Sequence, residues 1–355
     1  MGKQTVIAVI GCGRIAQNAH FPAFARMEEI RVKYACDLIR EKTEEMQSRY
    51  AFVENVITDY RVALADPEVE AVFVLTPNYA HYTVTMDALK AGKHVFCEKP
   101  ITVSYALSKE MAEEAKRQGR ILNIGVCNRF NRSVEMLEQL VREGRFGKIY
   151  HVYCSFRSAR SIPGLGGDFT TKAQSGGGVL IDWGVHFLDL ILYILGGATV
   201  KSLTCDAYRE MAKDMKAYKY TSMWAEDTAD TENGTNDVED FISGHIRTDK
   251  ASISFNGAWA QNIFRDEMFI DFLGDKCGAR LTYGGKFELY DGATLETIAP
   301  EYDIPDMYLC EDRAFVSSVV TGEKDRAYID RVLETAKLLD ALYVSAERKE
   351  EVTLS

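Results

Sequence analysis

The chain has 355 residues, of which 46% are hydrophobic and 27% charged, the balance of a soluble globular protein. This length exceeds one ordinary core, so we expect two domains. The net charge of −11 argues against nucleic acid as a partner, because phosphate binding needs a basic surface. No apolar run approaches the roughly 20 residues that span a bilayer, so no membrane partner is expected.

The N-terminal stretch MGKQTVIAVIGCG leads directly into a glycine motif. It has no separate apolar core followed by a small-residue cleavage site, and this pattern predicts a cytoplasmic protein. The eight cysteines are scattered, form no CxxC pair, and in several cases sit inside apolar runs. We therefore interpret them as small buried hydrophobic residues, not as zinc ligands or a disulfide framework.

About the first 125 residues alternate short apolar runs with amphipathic stretches, a pattern typical of βαβ units. The sequence thus predicts a Rossmann domain, a doubly wound parallel sheet with helices between its strands. The predicted strands are 5–11, 31–37, 71–77, 94–98 and 121–127.

After a helix-like stretch at 133–147, the strand candidates become longer and alternate with period two. This indicates an α+β domain with a large open, mainly antiparallel sheet that is covered on one face. The predicted domains are therefore 1–127 and 128–355, and whether the last helix packs back on the first domain is left open. The acidic segment 224–237 is predicted to be a loop or surface insertion.

The glycine motif Gly11-x-Gly13-x-x-Ala16 follows the first strand and opens a helix. Gly11 permits a tight turn, Gly13 lets the backbone approach a pyrophosphate, and Ala16 allows close helix–strand packing. The free N–H groups of the helix N-terminus suit phosphates. We predict a dinucleotide site here, against the alternative of a purely structural turn; the motif also contains Arg14 and Ile15.

Asp37 ends the second strand, at the distance from the motif where a carboxylate can bind a ribose 2′-OH and repel a 2′-phosphate. NAD is therefore favoured, although nearby Arg40 leaves room for NADP. The alternative is an ordinary turn residue at a strand end.

Ligands of open parallel sheets bind beyond the carboxyl ends of the strands. We predict that residues at and just after two further strand ends line the cofactor cleft, with Lys99 directed toward the nicotinamide. These residues are Thr76, Pro77, Asn78, His81, Glu98 and Lys99. The alternative is that Lys99 is a solvated lysine and Pro100 only stops its strand.

In the second domain, three glycines lead into an apolar helix that carries Asp182 and His186. Positions i and i+4 share a helix face, so both side chains can converge on one substrate. Metal ligation is conceivable, but no third ligand is apparent, and no metal is predicted. The alternative is that His186 is a hydrogen-bonded core histidine.

With these residues in view, the sequence resembles the glucose–fructose oxidoreductase / inositol dehydrogenase / MocA family. The matching motifs occur in the family's order over about residues 5–270: GCGRIA, TPNYAH, CEKPI, NRF, GGGVLIDWGVHFLDL and DVEDF. The resemblance implies an NAD-dependent dehydrogenase acting on CH–OH groups. It also implies a homo-oligomer, a dimer or tetramer formed through the C-terminal sheet.

Residue by residue, the resemblance assigns catalysis to Lys99, Asp182 and His186. Alcohol oxidation needs a base for the hydroxyl proton, for which histidine is suited, and a cationic lysine would stabilise the alkoxide. Whether His186 or Lys99 is the immediate base stays open. The substrate contacts we expect are Arg129, Arg157, Phe169 and Trp183.

The stretch 157–178 looks like a subgroup that acts on pyranose sugars and glycosides, some members oxidising the 3-hydroxyl. Its Arg157, Arg160, Phe169, Thr170 and Lys172 could line a sugar pocket, or the loop could only shape the domain junction. The prediction is therefore hydride transfer between C3 of a sugar or glycoside and NAD. The alternatives are an NAD-dependent glycosidase or lyase with transient C3 oxidation, an inositol dehydrogenase, and a non-catalytic sensor.

Overall fold

The computed structural model describes residues 4–354. Strands account for much of the described chain. In chain order they are β1 Thr5–Ile10, β2 Ile30–Cys36, β3 Asn55–Ile57, β4 Ala71–Val74, β5 His94–Glu98, β6 Leu122–Gly125, β7 Ile149–Arg157, β8 Val200–Tyr208, β9 Phe241–Thr248, β10 Ser252–Ala258, β11 Glu267–Gly274, β12 Cys277–Thr282, β13 Phe287–Asp291, β14 Thr297–Ile298 and β15 Val352–Thr353.

Helices connect and cover these strands. They are α1 Phe21–Phe24, α2 Arg40–Arg49, α3 Tyr60–Ala65, α4 Asn78–Lys90, α5 Tyr105–Gln118, α6 Arg132–Arg142, α7 Lys172–Ser175, α8 Val185–Ile194, α9 Met307–Thr321 and α10 Leu333–Arg348. Two π-helical turns, Ala16–His20 and Leu180–Gly184, lead directly into α1 and α8.

The chain forms two compact units. The first contains the chain up to Phe130 together with Asp306–Leu333, and the second contains Asn131–Pro305 and Glu334–Ser355. The sequence pattern predicted a single crossing after residue 127. The structure instead returns α9 to the first unit, whereas the last helix, α10, belongs to the second.

The first unit contains a six-stranded sheet in the order β3-β2-β1-β4-β5-β6, with every neighbouring pair parallel. This is the strand order of a Rossmann fold. The predicted parallel domain is confirmed, and all five predicted strands are present. The short strand β3 at the sheet edge was not predicted, because three residues are too few to show a period.

The second unit contains a nine-stranded sheet in the order β14-β13-β12-β11-β7-β10-β9-β8-β15. Its neighbours pair antiparallel except β7 and β10, which run parallel. Alternate residues of β7, such as Val152 and Phe156, share one buried cluster with α8 and α10 residues such as Leu188 and Leu338. The predicted open, mainly antiparallel sheet with one covered face is confirmed.

The stretch Lys172–Ile194 is long and apolar enough to cross a membrane, judged by length and composition. However, 78% of its most apolar window is buried inside the protein. Burial of this kind is typical of a core helix. The cysteines behave as predicted: all eight are free thiols, and all but Cys310 are buried.

Candidate active site

The glycine turn after β1 has two glycines with different requirements. Gly11 adopts φ +98°, and a Cβ there would come within 2.4 Å of the Leu75 carbonyl oxygen. A Cβ at Gly13 would meet nothing within 4 Å. Gly11 is therefore needed by the fold itself, whereas Gly13 keeps a space open beside the start of the helix.

Asp37 lies next to this turn and is held by backbone groups. Its Oδ2 accepts a hydrogen bond from the Cys12 N–H at 2.9 Å, and its Oδ1 accepts one from the Ile39 N–H at 2.9 Å. The carboxylate is thus oriented but still partly exposed. Arg40, the residue that left room for NADP, pairs with Glu44 along its own helix at 2.7 Å.

The residues present fit a dinucleotide. The open space at Gly13 is a cradle that any side chain would fill, and helix N–H groups follow it. The buried hydroxyl Oγ1 of Thr76, after β4, has no hydrogen-bond partner within residues 4–354. A buried unpaired hydroxyl costs free energy, so a bound polar group would satisfy it. Four other predicted contacts keep accessible surface: Arg14, Ile15, Pro77 and Asn78.

Lys99 follows β5, and the residue before it is firmly anchored. The Lys99 N–H donates to Glu98 Oε2 at 3.0 Å, and Glu98 Oε1 lies 3.2 Å from Nε2 of His20. Nδ1 of His20 lies 3.0 Å from Oδ1 of Asp312 in α9. Burial lowers the pKa of His20, but Asp312 and Glu98 outweigh it and raise this pKa to about 10. A buried imidazolium between two carboxylates therefore supports the strand end.

The residue after Lys99 is held by a second buried histidine, His81 of α4. Its Nδ1 lies 2.7 Å from the Pro100 carbonyl oxygen, and its Nε2 lies 2.9 Å from the Thr76 carbonyl oxygen. Burial lowers the pKa of His81, whereas neighbouring Cys97 and the two carbonyls raise it, to about 9. Two acceptors need two N–H donors, so the ring is an imidazolium. This geometry favours a positioning role for His81 over the predicted cofactor contact.

In the second unit, Asp182 lies in the π-helical turn before α8, and His186 lies in the first turn of α8. Both side chains are partly exposed. Oδ2 of Asp182 accepts a hydrogen bond from Nε1 of Trp259 at 3.2 Å, and the His186 ring packs edge-on against Tyr283 at 6.1 Å. The sequence pattern is thus matched by two oriented, accessible polar groups on consecutive helical turns.

Glu239 of the DVEDF motif is a residue whose role sequence reasoning missed. Its partly buried carboxylate accepts hydrogen bonds from the N–H groups of Gly178 at 2.9 Å and Leu180 at 3.0 Å, and from the Tyr343 hydroxyl at 2.9 Å. A Cβ at Gly178 would come within 1.9 Å of the Glu239 carbonyl oxygen. Position 178 therefore needs a glycine because the Glu239 backbone approaches it closely. The Glu239 carboxylate caps the helical segment that carries Asp182. The motif was visible in sequence, but its partner was not.

Two predicted substrate contacts have other partners. Arg129 is 2% exposed, and its guanidinium donates to the carbonyl oxygens of Arg326 at 2.7 Å and Arg331 at 3.0 Å. Arg157 ends β7 and forms an ion pair with Glu267 of the neighbouring strand. This geometry favours structural roles for both arginines over the predicted contact with substrate.

The other two predicted substrate contacts are accessible. Phe169 lies in a 3₁₀ turn, Asp168–Thr170, and Trp183 follows Asp182 directly; both are partly exposed. Asp189, one turn after His186, is buried and accepts a hydrogen bond from Thr335 at 2.8 Å, which is a core contact. Within the described range 4–354, no group of three or more His, Cys, Asp or Glu side chains is arranged to hold a metal ion.

Comparison with protein families agrees with this geometry. Residues 5–126 match the oxidoreductase family with an NAD-binding Rossmann fold, and residues 134–279 match the GFO/IDH/MocA C-terminal domain. The chain belongs to the GFO/IDH/MocA oxidoreductase family. It is therefore an NAD-binding oxidoreductase, as the motifs predicted.

Known proteins of this family align over much or all of the chain. D-glucoside 3-dehydrogenase of Escherichia coli is 28% identical, covering 98% of this chain and 97% of its own. Myo-inositol 2-dehydrogenase of Thermotoga maritima is 30% identical over 54% of each chain. The structure of levoglucosan dehydrogenase with NADH and levoglucosan superposes with a TM-score of 0.83 over 99% of both chains, at 18% identity, which shows the shared fold.

Proposed function

We propose that the protein oxidises the C3 hydroxyl of a pyranose sugar or glycoside. The observation that supports this is the similarity to D-glucoside 3-dehydrogenase, which extends over 98% of the chain. In this reaction the carbon gives up a hydride, the hydroxyl gives up a proton, and the C–O bond becomes a carbonyl. NAD⁺ held at the glycine turn of Gly11 and Gly13 would supply the hydride acceptor. The protein must hold the sugar, accept the proton and stabilise the developing alkoxide.

Three side chains of this chain suit those tasks. His186 or Lys99 takes the hydroxyl proton, and a protonated Lys99 stabilises negative charge on the oxygen. Asp182, oriented by the Trp259 indole at 3.2 Å, accepts a hydrogen bond from a sugar hydroxyl. Hydrogen bonds to the Glu98 carboxylate and the Pro100 carbonyl hold the backbone on both sides of Lys99 in one position. Such preorganisation favours catalysis.

The test is a substrate screen with the purified protein and NAD⁺. Methyl glucosides, other pyranosides and inositols are supplied, and NADH absorbance is followed together with formation of 3-keto products. We expect NADH and a 3-keto sugar in equal amounts. Release of the aglycone without net NADH would instead identify a glycosidase or lyase with transient oxidation. Turnover of inositols alone would contradict the pyranose assignment.

Variants test the proposed residues. We expect Lys99→Met and His186→Asn each to lower kcat by about 10²–10⁴-fold. The double variant should lose less than the product of the two, since groups that act on one step are not additive. Lys90→Met, at an exposed position at the end of α4, serves as the control and should retain activity. Wild-type turnover by either active-site variant would refute its assignment. The pH profiles of residual activity show which group is the base.

The cofactor preference follows from Asp37. Because its carboxylate is fixed by the Cys12 and Ile39 N–H groups, it repels a 2′-phosphate at a defined position. We expect Asp37→Asn to raise the ratio of kcat/KM with NADP to that with NAD by at least about 10-fold. An unchanged ratio would show that another residue selects the cofactor.

We also propose that the protein is a homo-oligomer whose contact is the open face of the nine-stranded sheet. Supporting this, the face presents aromatic side chains such as Tyr153, which is 51% exposed. Aromatic residues are enriched in protein–protein interfaces.

A further inference from the structure

The second unit has a depression of about 420 Å³, and its lining includes Arg160, one of the residues that the stretch 157–178 offered for a sugar pocket. Three chain segments line it: 159–160, 219–221 and 261–264. The volume falls within the range of small-molecule sites, ~300–1,000 Å³. The middle segment lies two residues before the acidic segment 224–237, so the insertion and the depression lie in one part of the chain.

Arg160 holds the three segments together. Its guanidinium donates to the carbonyl oxygens of Ala159, at 2.7 Å, and Gln261, and to Oδ1 of Asn262. Its own carbonyl oxygen accepts hydrogen bonds from the N–H and hydroxyl of Thr221, at 3.0 and 3.1 Å. The guanidinium of Arg160 is therefore occupied by hydrogen bonds that connect the lining segments. These bonds fix the shape of the depression.

The lining combines aromatic rings with amide and amino groups. Phe264 is fully exposed at the rim, and Tyr220 is 46% exposed, its hydroxyl held by Glu226 of the acidic segment at 2.6 Å. Oε1 of Gln261 is buried and has no hydrogen-bond partner in the described part of the chain. Lys219 adds an exposed amino donor. Apolar rings beside a buried unpaired acceptor and an amino donor suit a sugar ring, which has an apolar face and a rim of hydroxyls.

The depression is close in the chain to the proposed catalytic Asp182. Trp259, whose indole donates to Asp182, lies two positions before Gln261, at most about 7 Å of extended chain. The segment pairs with the opposite wall through two hydrogen bonds, Ser161 N–H to Trp259 O at 2.8 Å and Gln261 N–H to Ala159 O at 3.0 Å. One continuous ladder therefore connects the Asp182 contact with the depression.

We infer that this depression binds the second ring of a disaccharide whose first ring is the one oxidised. The inference rests on the proposed function and names its substrate class. A hydroxyl of the second ring donates to Oε1 of Gln261, and its apolar face packs on Phe264 and Tyr220. The acidic segment serves this site because Glu226 fixes Tyr220.

The test compares a β-linked glucose disaccharide with methyl β-glucoside. We expect wild-type kcat/KM to be at least 10-fold higher for the disaccharide. Phe264→Ala and Gln261→Ala should each lower kcat/KM for the disaccharide about 10-fold and change that for the methyl glucoside less than twofold. Leu295→Ala, which removes another highly exposed apolar side chain from the turn between β13 and β14, is the matched control and should change neither.

Calorimetric titration of the NAD-loaded protein with the disaccharide gives a readout that does not need turnover. Weaker binding by Phe264→Ala than by Leu295→Ala supports the site even if neither sugar is oxidised, a result that would refute only the proposed reaction. The inference would be overturned if Phe264→Ala and Gln261→Ala lowered kcat/KM equally for both sugars. It would also be overturned if Phe264→Ala and Leu295→Ala bound the disaccharide equally well, or if the wild-type protein did not bind it. If kcat/KM for phenyl β-glucoside exceeded that for methyl β-glucoside by as much as the disaccharide value does, the occupant would be an apolar aglycone. The assignment to a sugar ring would then be wrong.

Discussion

Gly11 and Gly13 have different roles: Gly11 is required by the fold, and Gly13 is expected to be required by the cofactor. An alanine at Gly11 would be strained at φ +98° and would clash with the Leu75 carbonyl, whereas an alanine at Gly13 meets open space. We expect Gly11→Ala to destabilise the protein by about 1–3 kcal/mol. Gly13→Ala should leave the melting temperature unchanged and weaken NAD binding at least about 10-fold, because its methyl group occupies the phosphate approach.

Calorimetry for stability and fluorescence titration for NAD affinity check this pair. Wild-type NAD affinity in Gly13→Ala would mean that the space beside the turn is not the phosphate site. A stable Gly11→Ala protein would mean that the loop before Thr76 adapts. The two glycines are adjacent in one motif, yet their expected defects are measured by different experiments.

At the scale of elements, the helical segment with Asp182 and His186 depends on Glu239. Glu239→Gln replaces one accepting oxygen by an amide that faces the N–H groups of Gly178 or Leu180, and we expect a loss of about 1–3 kcal/mol. Tyr343→Phe removes a single bond to Glu239 and should cost about 1 kcal/mol. Both should lower kcat while NAD affinity stays unchanged, since the glycine turn belongs to the other unit.

Urea unfolding, turnover and NAD titration of the two variants give the comparison. Full activity in Glu239→Gln would show that the cap does not position the catalytic groups. A change in NAD affinity equal to the change in kcat would indicate general misfolding instead. Comparing Glu239→Gln with the milder Tyr343→Phe therefore distinguishes loss of the helix cap from general loss of structure.

Helix α9 is joined to the Rossmann sheet by the buried His20–Asp312 contact at 3.0 Å. The folded-state pKa of His20, about 10, exceeds its ordinary value of 6.5. The stabilisation is thus complete below pH 6.5 and is lost as the pH rises toward 10. We expect protection of α9 and β5 amides from hydrogen exchange to fall across this window.

His20→Gln provides the control, because an amide can bridge the two carboxylates but does not titrate. Its protection of α9 should be lower at pH 7 and should vary less between pH 7 and 10 than in the wild type. Equal pH dependence in both proteins would mean that His20 is not the group that titrates.

At the scale of the whole molecule, local sequence patterns were enough to predict the architecture, whereas contacts between residues far apart in the chain could not be predicted. Period and turn residues placed the five main Rossmann strands, and the strand that ends at Glu98 matches the predicted range. The partner of His20 is 292 residues away, and the cap from Glu239 is 61 residues from Gly178. Hydrophobic periodicity reports only on neighbouring residues, so it predicts neither of these contacts. Arg129 shows a related case: its motif predicts a contact with substrate, whereas the hydrogen bonds of its guanidinium in the structure go to backbone carbonyl oxygens of Arg326 and Arg331.

The open face of the nine-stranded sheet presents several exposed tyrosines. On β7, Tyr153 points away from the buried cluster that contains Val152 and Phe156, and it pairs in register with Ser254 on one side and Asp271 on the other. Tyr208 and Tyr290, 43% and 42% exposed, lie on outer strands of the same sheet. A stable interface needs about 800 Å² per partner, which one sheet face can supply.

Tyr153→Lys tests this face. A lysine there can pair with Asp271 in the same subunit, so the fold should tolerate it, whereas burying its charge in an interface costs several kcal/mol. We expect light scattering after size-exclusion chromatography to give a dimer or tetramer for the wild type and a smaller species for Tyr153→Lys. Val320→Lys, a charge at a 71% exposed position on α9, should leave the mass unchanged. A wild-type monomer at micromolar concentration, or an unchanged mass for Tyr153→Lys, would exclude this face as the interface.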